Sequence, residues 1–297
     1  DCSMMVLNRL VTFYHHQMSQ SSLIFLIFFS LSVDIDKQYS RKEIFLGYEH
    51  RFRMPRVQPP ELGLYEGEDE KLNMDAPPYP LPYEFGNSYY AFTYGPARHV
   101  VVNAYSDMSP GSTQYEWLKE ELASIDRERT PWVLLTMHPP IYNTFALHHH
   151  DPQIFAAREH LEPLMIEHHV NIIFTGHIHA YQRTDYVAFN ATIPTGPMHI
   201  TIGAGGRACA APFTNKEPEQ WLMKRDATMY GYGRFVIENA TFAEWQWIPI
   251  SPSEKQDYNQ VRGKDELHLP SLDHDKVMVE NQYHVRLRQL EEEDKVR

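Results

Sequence analysis

The sequence predicts an α/β fold, and three observations carry that prediction. Short apolar, β-branched runs at 99–104, 132–137 and 170–175 alternate with stretches of helical periodicity at 113–127 and 153–169. Such alternation is the signature of strands linked by helices that cover a sheet. After residue 196 the pattern changes to strands without helices, at 198–203, 230–237 and 241–248. With 297 residues, 42% hydrophobic and 13% aromatic, the chain has the length of one large or two small domains and enough apolar side chains for a core.

The elements follow in order. Prolines at 55, 59, 60, 77, 78, 80 and 82, set among charges, predict a loop over 55–85. Residues 89–94 alternate as a half-buried strand does, and 99–104 is a second strand. Thr113 with Glu116 reads as a capping box, and Trp117, Leu118, Leu122 and Ile125 recur at helical spacing over 113–127. The run WVLLTM at 132–137 is a buried strand. A second helix over 153–169 places Phe155, Leu161, Leu164 and Met165 inward, with His168 and His169 near its end. In the last strand Phe242, Glu244, Gln246 and Ile248 share one side, and the tail from 284, ending in EEEDKVR, reads as a solvated charged helix or as disorder.

Charge narrows the function classes. A net charge of −12 with no basic patch opposes binding to nucleic acid or an anionic membrane surface. An anionic substrate would then depend on a bound cation for attraction. Cys2 and Cys209 show no metal-ligand spacing and no disulfide framework. The sequons at Asn190 and Asn239 are compatible with a secreted glycoprotein. The longest apolar run, LIFLIFFSLSV at 23–33, is too short to span a bilayer. It reads either as a secretory signal starting at Met18 or as part of a non-native start. The KDEL at 264–267 is internal and is no retention signal.

The chemistry-bearing residues sit beyond strand ends. His138 ends WVLLTM and enters His-Pro-Pro-Ile-Tyr-Asn, whose prolines restrict the loop. His177 and His179 leave the strand at 170–175 through Gly176, followed by Tyr181 and Arg183. In α/β sheets, sites form outside the carboxyl ends of the strands. Any one of these histidines alone is more simply a hydrogen-bonded side chain. Together at two strand ends they can converge on a borderline metal such as zinc or iron. Tyr142, Tyr181 and Arg183 read as packing residues. GAGG at 203–206 lacks the Lys-Ser/Thr of a phosphate loop and reads as a tight turn beside the site. No GxSxG or catalytic cysteine motif supports a covalent nucleophile.

From Tyr48 to Tyr283 the chain resembles the purple acid phosphatases of the calcineurin-like metallophosphoesterase superfamily. The resemblance rests on YEHRFRMP at 48–55, YYAFTYGP at 89–96, the helix QYEWLKEEL, MHPPIYNT at 137–144, GHIHAYQR at 176–183, ITIGAGG at 200–206 and VENQY at 279–283. It implies a β-sandwich flanked by helices, of which this chain carries the second half of a four-layer αββα arrangement. It also implies hydrolysis of a small phosphate monoester at a centre of Fe(III) and a divalent partner, Zn, Mn or Fe, with a metal-activated water. By motif position His138 and His177 resemble ligands of the divalent ion, and His179 resembles the iron ligand. His148 and His149, in the triplet 148–150, fall where the family orients phosphate and protonates the leaving group, one residue beyond the commonest spacing. A solvated loop is the alternative for that triplet. The resemblance further implies a secreted or vacuolar location.

The sequence also departs from the family. The GDxG, GDxxY and GNH(E/D) motifs, which supply two aspartates, a tyrosine and an asparagine, are not found. The expected division is a non-homologous or signal-like segment at 1–42, a partial catalytic domain at 43–283 and a charged tail at 284–297. Three imidazoles without a bridging carboxylate leave two cations under-coordinated. The expectation is therefore an impaired enzyme holding one ion, with an exposed sheet edge open to self-association. A non-catalytic metal-binding remnant and an incomplete gene model are the competing readings.

Overall fold

The computed structural model describes residues 21–23, 54–55, 86–206, 212–214, 219–252 and 275–296. The strands are β1 (Ser21–Leu23), β2 (Tyr90–Tyr94), β3 (Ala97–Val101), β4 (Trp132–Met137), β5 (Ile172–Thr175), β6 (Tyr181–Ala188), β7 (Ala191–Thr192) and β8 (Met198–Ile202). They continue with β9 (Leu222–Asp226), β10 (Met229–Ile237), β11 (Phe242–Pro252) and β12 (Lys276–Glu280). The helices are α1 (Thr113–Ala123), α2 (Pro152–Ala156), α3 (Glu162–Glu167) and α4 (Gln282–Val296), with a π-helical segment, Ala157–Leu161, joining α2 to α3. The apolar run at 24–33, the loop at 56–85 and the internal KDEL lie outside the described residues.

Two sheets stack. The larger runs β2-β3-β4-β5-β8-β6-β7, with β9 also pairing β6, and the smaller runs β1-β10-β11-β12. Strands β3, β4, β5 and β8 are mutually parallel; α1 makes the crossover from β3 to β4 and α2–α3 that from β4 to β5, while β6 and β7 lie between β5 and β8 in the chain. Strand β4 is buried at every position and β5 likewise, as expected of central strands covered on both faces.

Alternation along these strands divides two cores. Val133, Leu135, Met137 and Ile173 point to the helical side, where they meet Leu118 and Leu122 of α1 and Leu161, Leu164 and Met165 beyond α2. Trp132, Leu134, Ile172 and Phe174 point to the smaller sheet, where they meet Phe235, Trp245, Trp247 and Val279. The result is a helical layer on a sheet on a second sheet, the α/β sandwich that the family resemblance implies. Gly233 makes the second interface possible, because a Cβ there would lie 1.9 Å from the Trp245 ring.

Three details differ from the sequence reading. The N-cap of α1 is Ser112 rather than Thr113: its hydroxyl accepts from Tyr115 N, while Glu116 accepts from Gly111 N. Phe155 is 49% exposed, and Ile154, seven residues before Leu161, takes the inward place. Strands β6, β9 and β12 were not foreseen. The tail, for which the sequence left a charged helix or disorder open, forms α4, whose residues 291–295 are exposed.

Candidate metal centre

Two loops meet at the carboxyl ends of β4 and β5. Gly176 N donates to the His138 carbonyl at 2.9 Å, which joins the backbone beyond one strand to that beyond the next. The GHIHA turn is then tightly folded: Ile178 N donates to Gly176 O at 2.6 Å and Ala180 N to Ile178 O at 2.7 Å. His177 takes a left-handed φ of 61°, uncommon for a residue other than glycine. The turn GAGG lies directly beside it, as the sequence reading holds. A Cβ on Gly203 would stand 1.9 Å from the Ile178 carbonyl oxygen, so only glycine admits this approach.

Side chains lock the same two loops. Gln182 donates to the Tyr142 carbonyl at 2.7 Å and accepts from Thr144 N at 3.1 Å and from its hydroxyl at 2.6 Å. Tyr142 donates to Glu162 and accepts from Asn190 N at 2.9 Å. Arg158 holds the Ile141 carbonyl at 2.6 Å. Arg183 and Tyr181 both bond Asp275, so Tyr142, Tyr181 and Arg183 serve to hold the loops, as the sequence suggests.

This scaffold brings His138 and His177 together, with His138 Nε2 and His177 Nδ1 3.0 Å apart. The other ring nitrogen of His177, Nε2, lies 2.9 Å from Asp151 Oδ2, and His148 Nδ1 lies 3.0 Å from that same oxygen. The ligand atoms of His148, Asp151 and His177 all fall within 4.8 Å of one another. His179 is half-buried and near enough that its charge would disfavour protonation of both His138 and His177. His149 stands apart from this group, packed edge-on against His150 at 5.0 Å.

Asp151 is the residue that sequence reading missed. Its only local signal is an Asp-Pro pair opening a helix, which ordinarily denotes a cap.

The electrostatics favour neutral imidazoles. Burial, then the neighbouring histidines His177, His148 and His179, push His138 down to about 3. His177 is also lowered, by burial first, with Asp151 opposing. A neutral imidazole presents a lone pair, the form a metal needs. Ligands at roughly 2.0–2.1 Å around a tetrahedral ion stand about 3.3 Å apart, close to the spacing of the two facing nitrogens. The pair therefore fits one divalent ion. Among the described residues no carboxylate bridges His138 and His179 to make a second position.

Comparison with known proteins places these loops in context. The family described as calcineurin-like phosphoesterase matches residues 47–181, and that described as iron/zinc purple acid phosphatase-like protein C matches residues 196–266. Purple acid phosphatase 18 of Arabidopsis thaliana is 37% identical over 197 residues, 65% of this chain and 43% of its own length. Probable purple acid phosphatase 20 of the same plant is 36% identical over 188 residues, 63% of this chain and 42% of its own. The chain thus spans less than half the length of these curated relatives. Among solved structures, a purple acid phosphatase from yellow lupin seeds superposes with a TM-score of 0.50 at 24% identity, covering 54% of this chain and 30% of that one, a likeness of fold.

Proposed function

This chain belongs to the purple acid phosphatases of the calcineurin-like metallophosphoesterase superfamily, and from that premise we propose that it contributes the histidine half of a phosphate-monoester hydrolase site. The observation that carries the reading is the 3.0 Å approach of His138 Nε2 to His177 Nδ1 at adjacent strand ends. These two would hold a divalent ion, Zn, Mn or Fe, and His179 would be the donor toward Fe(III) wherever a second position is completed. Metal bound there supplies Lewis-acid activation of water and of a phosphoryl oxygen.

The remaining residues act around that ion. His148, whose ring lies beside that of His177, orients the phosphate and protonates the leaving oxygen, and His149, packed against His150 away from that group, is the second candidate for the same work. Asp151 brings the His148 ring to within 4.0 Å of the His177 ring and keeps that loop at the site. Tyr142, Gln182 and Arg183 hold the loops rigid, so that the histidines need no rearrangement when substrate arrives.

Dinuclear chemistry needs more than this set. Among the described residues three imidazoles lack the negative charge that two such cations require, so on this set alone the site holds one ion and turns over poorly. A non-catalytic metal-binding fold is the second reading, favoured by the lack of a carboxylate bridging His138 and His179 among the described residues.

Elemental analysis of purified protein, paired with hydrolysis of a chromogenic phosphate ester at pH 5, decides among them. One ion per chain with weak turnover, removed by chelator and restored by metal, is the expected result. One ion with no turnover supports the binding fold, and two ions with full turnover overturn the impairment. No bound ion overturns the metal reading altogether.

Two wider properties belong to the same proposal. Passage through the secretory route, to the extracellular space or vacuole, is supported by exposed sequon residues at Asn190, on the β6–β7 turn, and Asn239, between β10 and β11. Among the described residues no helix is long and apolar enough to cross a membrane. Self-association through the outer edge of β2, which lies at the end of the larger sheet, is checked by sedimentation at several concentrations.

A further inference from the structure

We infer that Asp151 is a positioning residue for the metal centre, fixing the His177 ring from behind so that Nδ1 faces the ion shared with His138. The inference rests on the reading of His138 and His177 as ligands. Its first support is the geometry of one ring. Nδ1 of His177 meets His138 Nε2 at 3.0 Å, while Nε2, at the opposite pole, meets Asp151 Oδ2 at 2.9 Å. A ligating imidazole commonly gives its second N–H to a carboxylate, which selects the tautomer and stops the ring from rotating. With the N–H on Nε2 and the lone pair on Nδ1, His177 is poised toward His138.

The second support comes from the helix that Asp151 opens. Aspartate at an N-cap normally accepts from a backbone N–H in the first turn. Asp151 holds the N-cap position of α2 with extended backbone, yet its side chain makes no capping bond. Its carboxylate is turned to the histidines instead. His148 Nδ1, 3.0 Å from the same oxygen, braces the carboxylate from the other side.

The third support is the backbone of the ligand itself. His177 sits at φ 61° and His148 at φ 55°, conformations that non-glycine residues hold only when their surroundings determine them. A shared carboxylate between the two rings is a fixed point for both.

A different ion position would use the same atoms. His148 Nδ1, Asp151 Oδ2 and His177 Nε2 lie within 4.8 Å of one another, so an ion in that corner would make Asp151 a ligand and leave His138 outside. Substitutions separate the two arrangements.

The experiment is calorimetric titration of the chelator-treated full chain with Zn(II), comparing wild type with Asp151→Asn, Asp151→Glu, His138→Ala and His148→Ala. Asp151→Asn is expected to weaken binding by about 10- to 100-fold, the usual loss on removing a carboxylate behind a ligating histidine. Asp151→Glu should recover part of that loss, His138→Ala should abolish binding, and His148→Ala should weaken it less than Asp151→Asn does. Melting temperatures of the metal-free proteins guard against misfolding: Asp151 makes no capping bond for the substitution to remove, and asparagine keeps an acceptor oxygen for the imidazole N–H, so Asp151→Asn should melt close to wild type. Wild-type affinity in Asp151→Asn overturns the inference while leaving the metal reading intact. Loss of binding in His148→Ala with binding kept in His138→Ala overturns it too, by placing the ion in the corner. A wild type that takes up no zinc overturns the metal reading and this inference with it.

Discussion

Arg183 and Asp275 form a two-pronged ion pair across 92 residues of chain, with Arg183 Nε 2.7 Å from Oδ2 and Nη2 2.8 Å from Oδ1. Tyr181 adds a third bond to the same carboxylate at 2.6 Å, and Trp245 Nε1 in turn donates to the Tyr181 hydroxyl at 2.9 Å. One carboxylate thereby joins β6 to the strand that follows it in the smaller sheet, immediately behind the GHIHA turn.

Replacing Asp275 with Asn should therefore destabilise the fold strongly. The guanidinium would keep its burial and lose its counter-charge, which costs about 3–5 kcal/mol when one partner of a buried pair is removed. Burial alone would raise the Asp275 pKa, but the bonds from Arg183 and Tyr181 outweigh it and hold the carboxyl below its ordinary range. The pair's stabilisation is consequently present above the usual carboxylate pKa and lost as pH falls through the depressed one. Urea unfolding at pH 7 and at pH 3 checks both statements: the gap between wild type and Asp275→Asn should narrow at the lower pH.

His199 should make the fold acid-sensitive. It lies on β8 with both ring nitrogens buried and unpartnered, edge-on to Tyr142, and burial followed by the Arg158 charge lowers it from 6.5 to about 3. The folded state then binds fewer protons than the unfolded one, so stability falls as pH drops from 6.5 toward 3. At pH 4.5 the loss from this group is about 2–3 kcal/mol. His199→Phe should flatten the melting-temperature profile between pH 7 and pH 4.5, and an unchanged slope would contradict the assignment.

Glu162 works in the opposite sense. Burial raises its pKa, and the Tyr142 hydrogen bond offsets only part of that, while Oε2 has no partner. Its contribution is fully present below the ordinary carboxylate pKa and is lost as pH rises through the elevated one. Glu162→Gln, which keeps an acceptor for Tyr142, should be less stable than wild type at low pH relative to its standing at pH 7. Parallel melting curves at pH 4 and pH 7 give the comparison.

Gly203→Ala should disturb the site from a distance. The added methyl would press on the Ile178 carbonyl between the two histidines of the GHIHA turn. Overpacking of this kind costs about 1–3 kcal/mol, and zinc affinity should fall with it, because His177 and His179 flank the displaced carbonyl. Unaltered melting and zinc binding would show that the turn yields without strain.

Much of this fold was legible in the sequence because its central strands are buried on both faces and read as unbroken apolar runs. Trp132–Met137 is the clearest, with the observed ends equal to the expected ones. Strand β6 was hidden for the converse reason. Its Gln182, Arg183 and Thr184 are buried, yet they are polar and are compensated by partners as much as 92 residues away, which no local pattern announces. The same holds at the site. His138, His177 and His179 could be named from their place after apolar strands, whereas Asp151 looks like a routine helix start. Its departure from that role is visible only in three dimensions, where the carboxylate turns from the helix to the imidazoles.

The amide cluster at the start of α4 sets a condition on the order of assembly. Asn281 donates to the Pro131 carbonyl across 150 residues, and Asn171 donates to Asn281 across 110 and to Gln282 across 111. Asn171 Oδ1 also accepts from Val133 N at the head of β4, so this cluster closes the lower end of the central strands. On a ribosome the chain emerges from its N-terminus, and residues 131–171 wait, their polar groups unmatched, until position 281 has been synthesised. The segment that opens α4 therefore acts as a latch, and a nascent chain stalled short of position 281 leaves the ribosome tunnel with an open sheet exposed to whatever binds sticky strands.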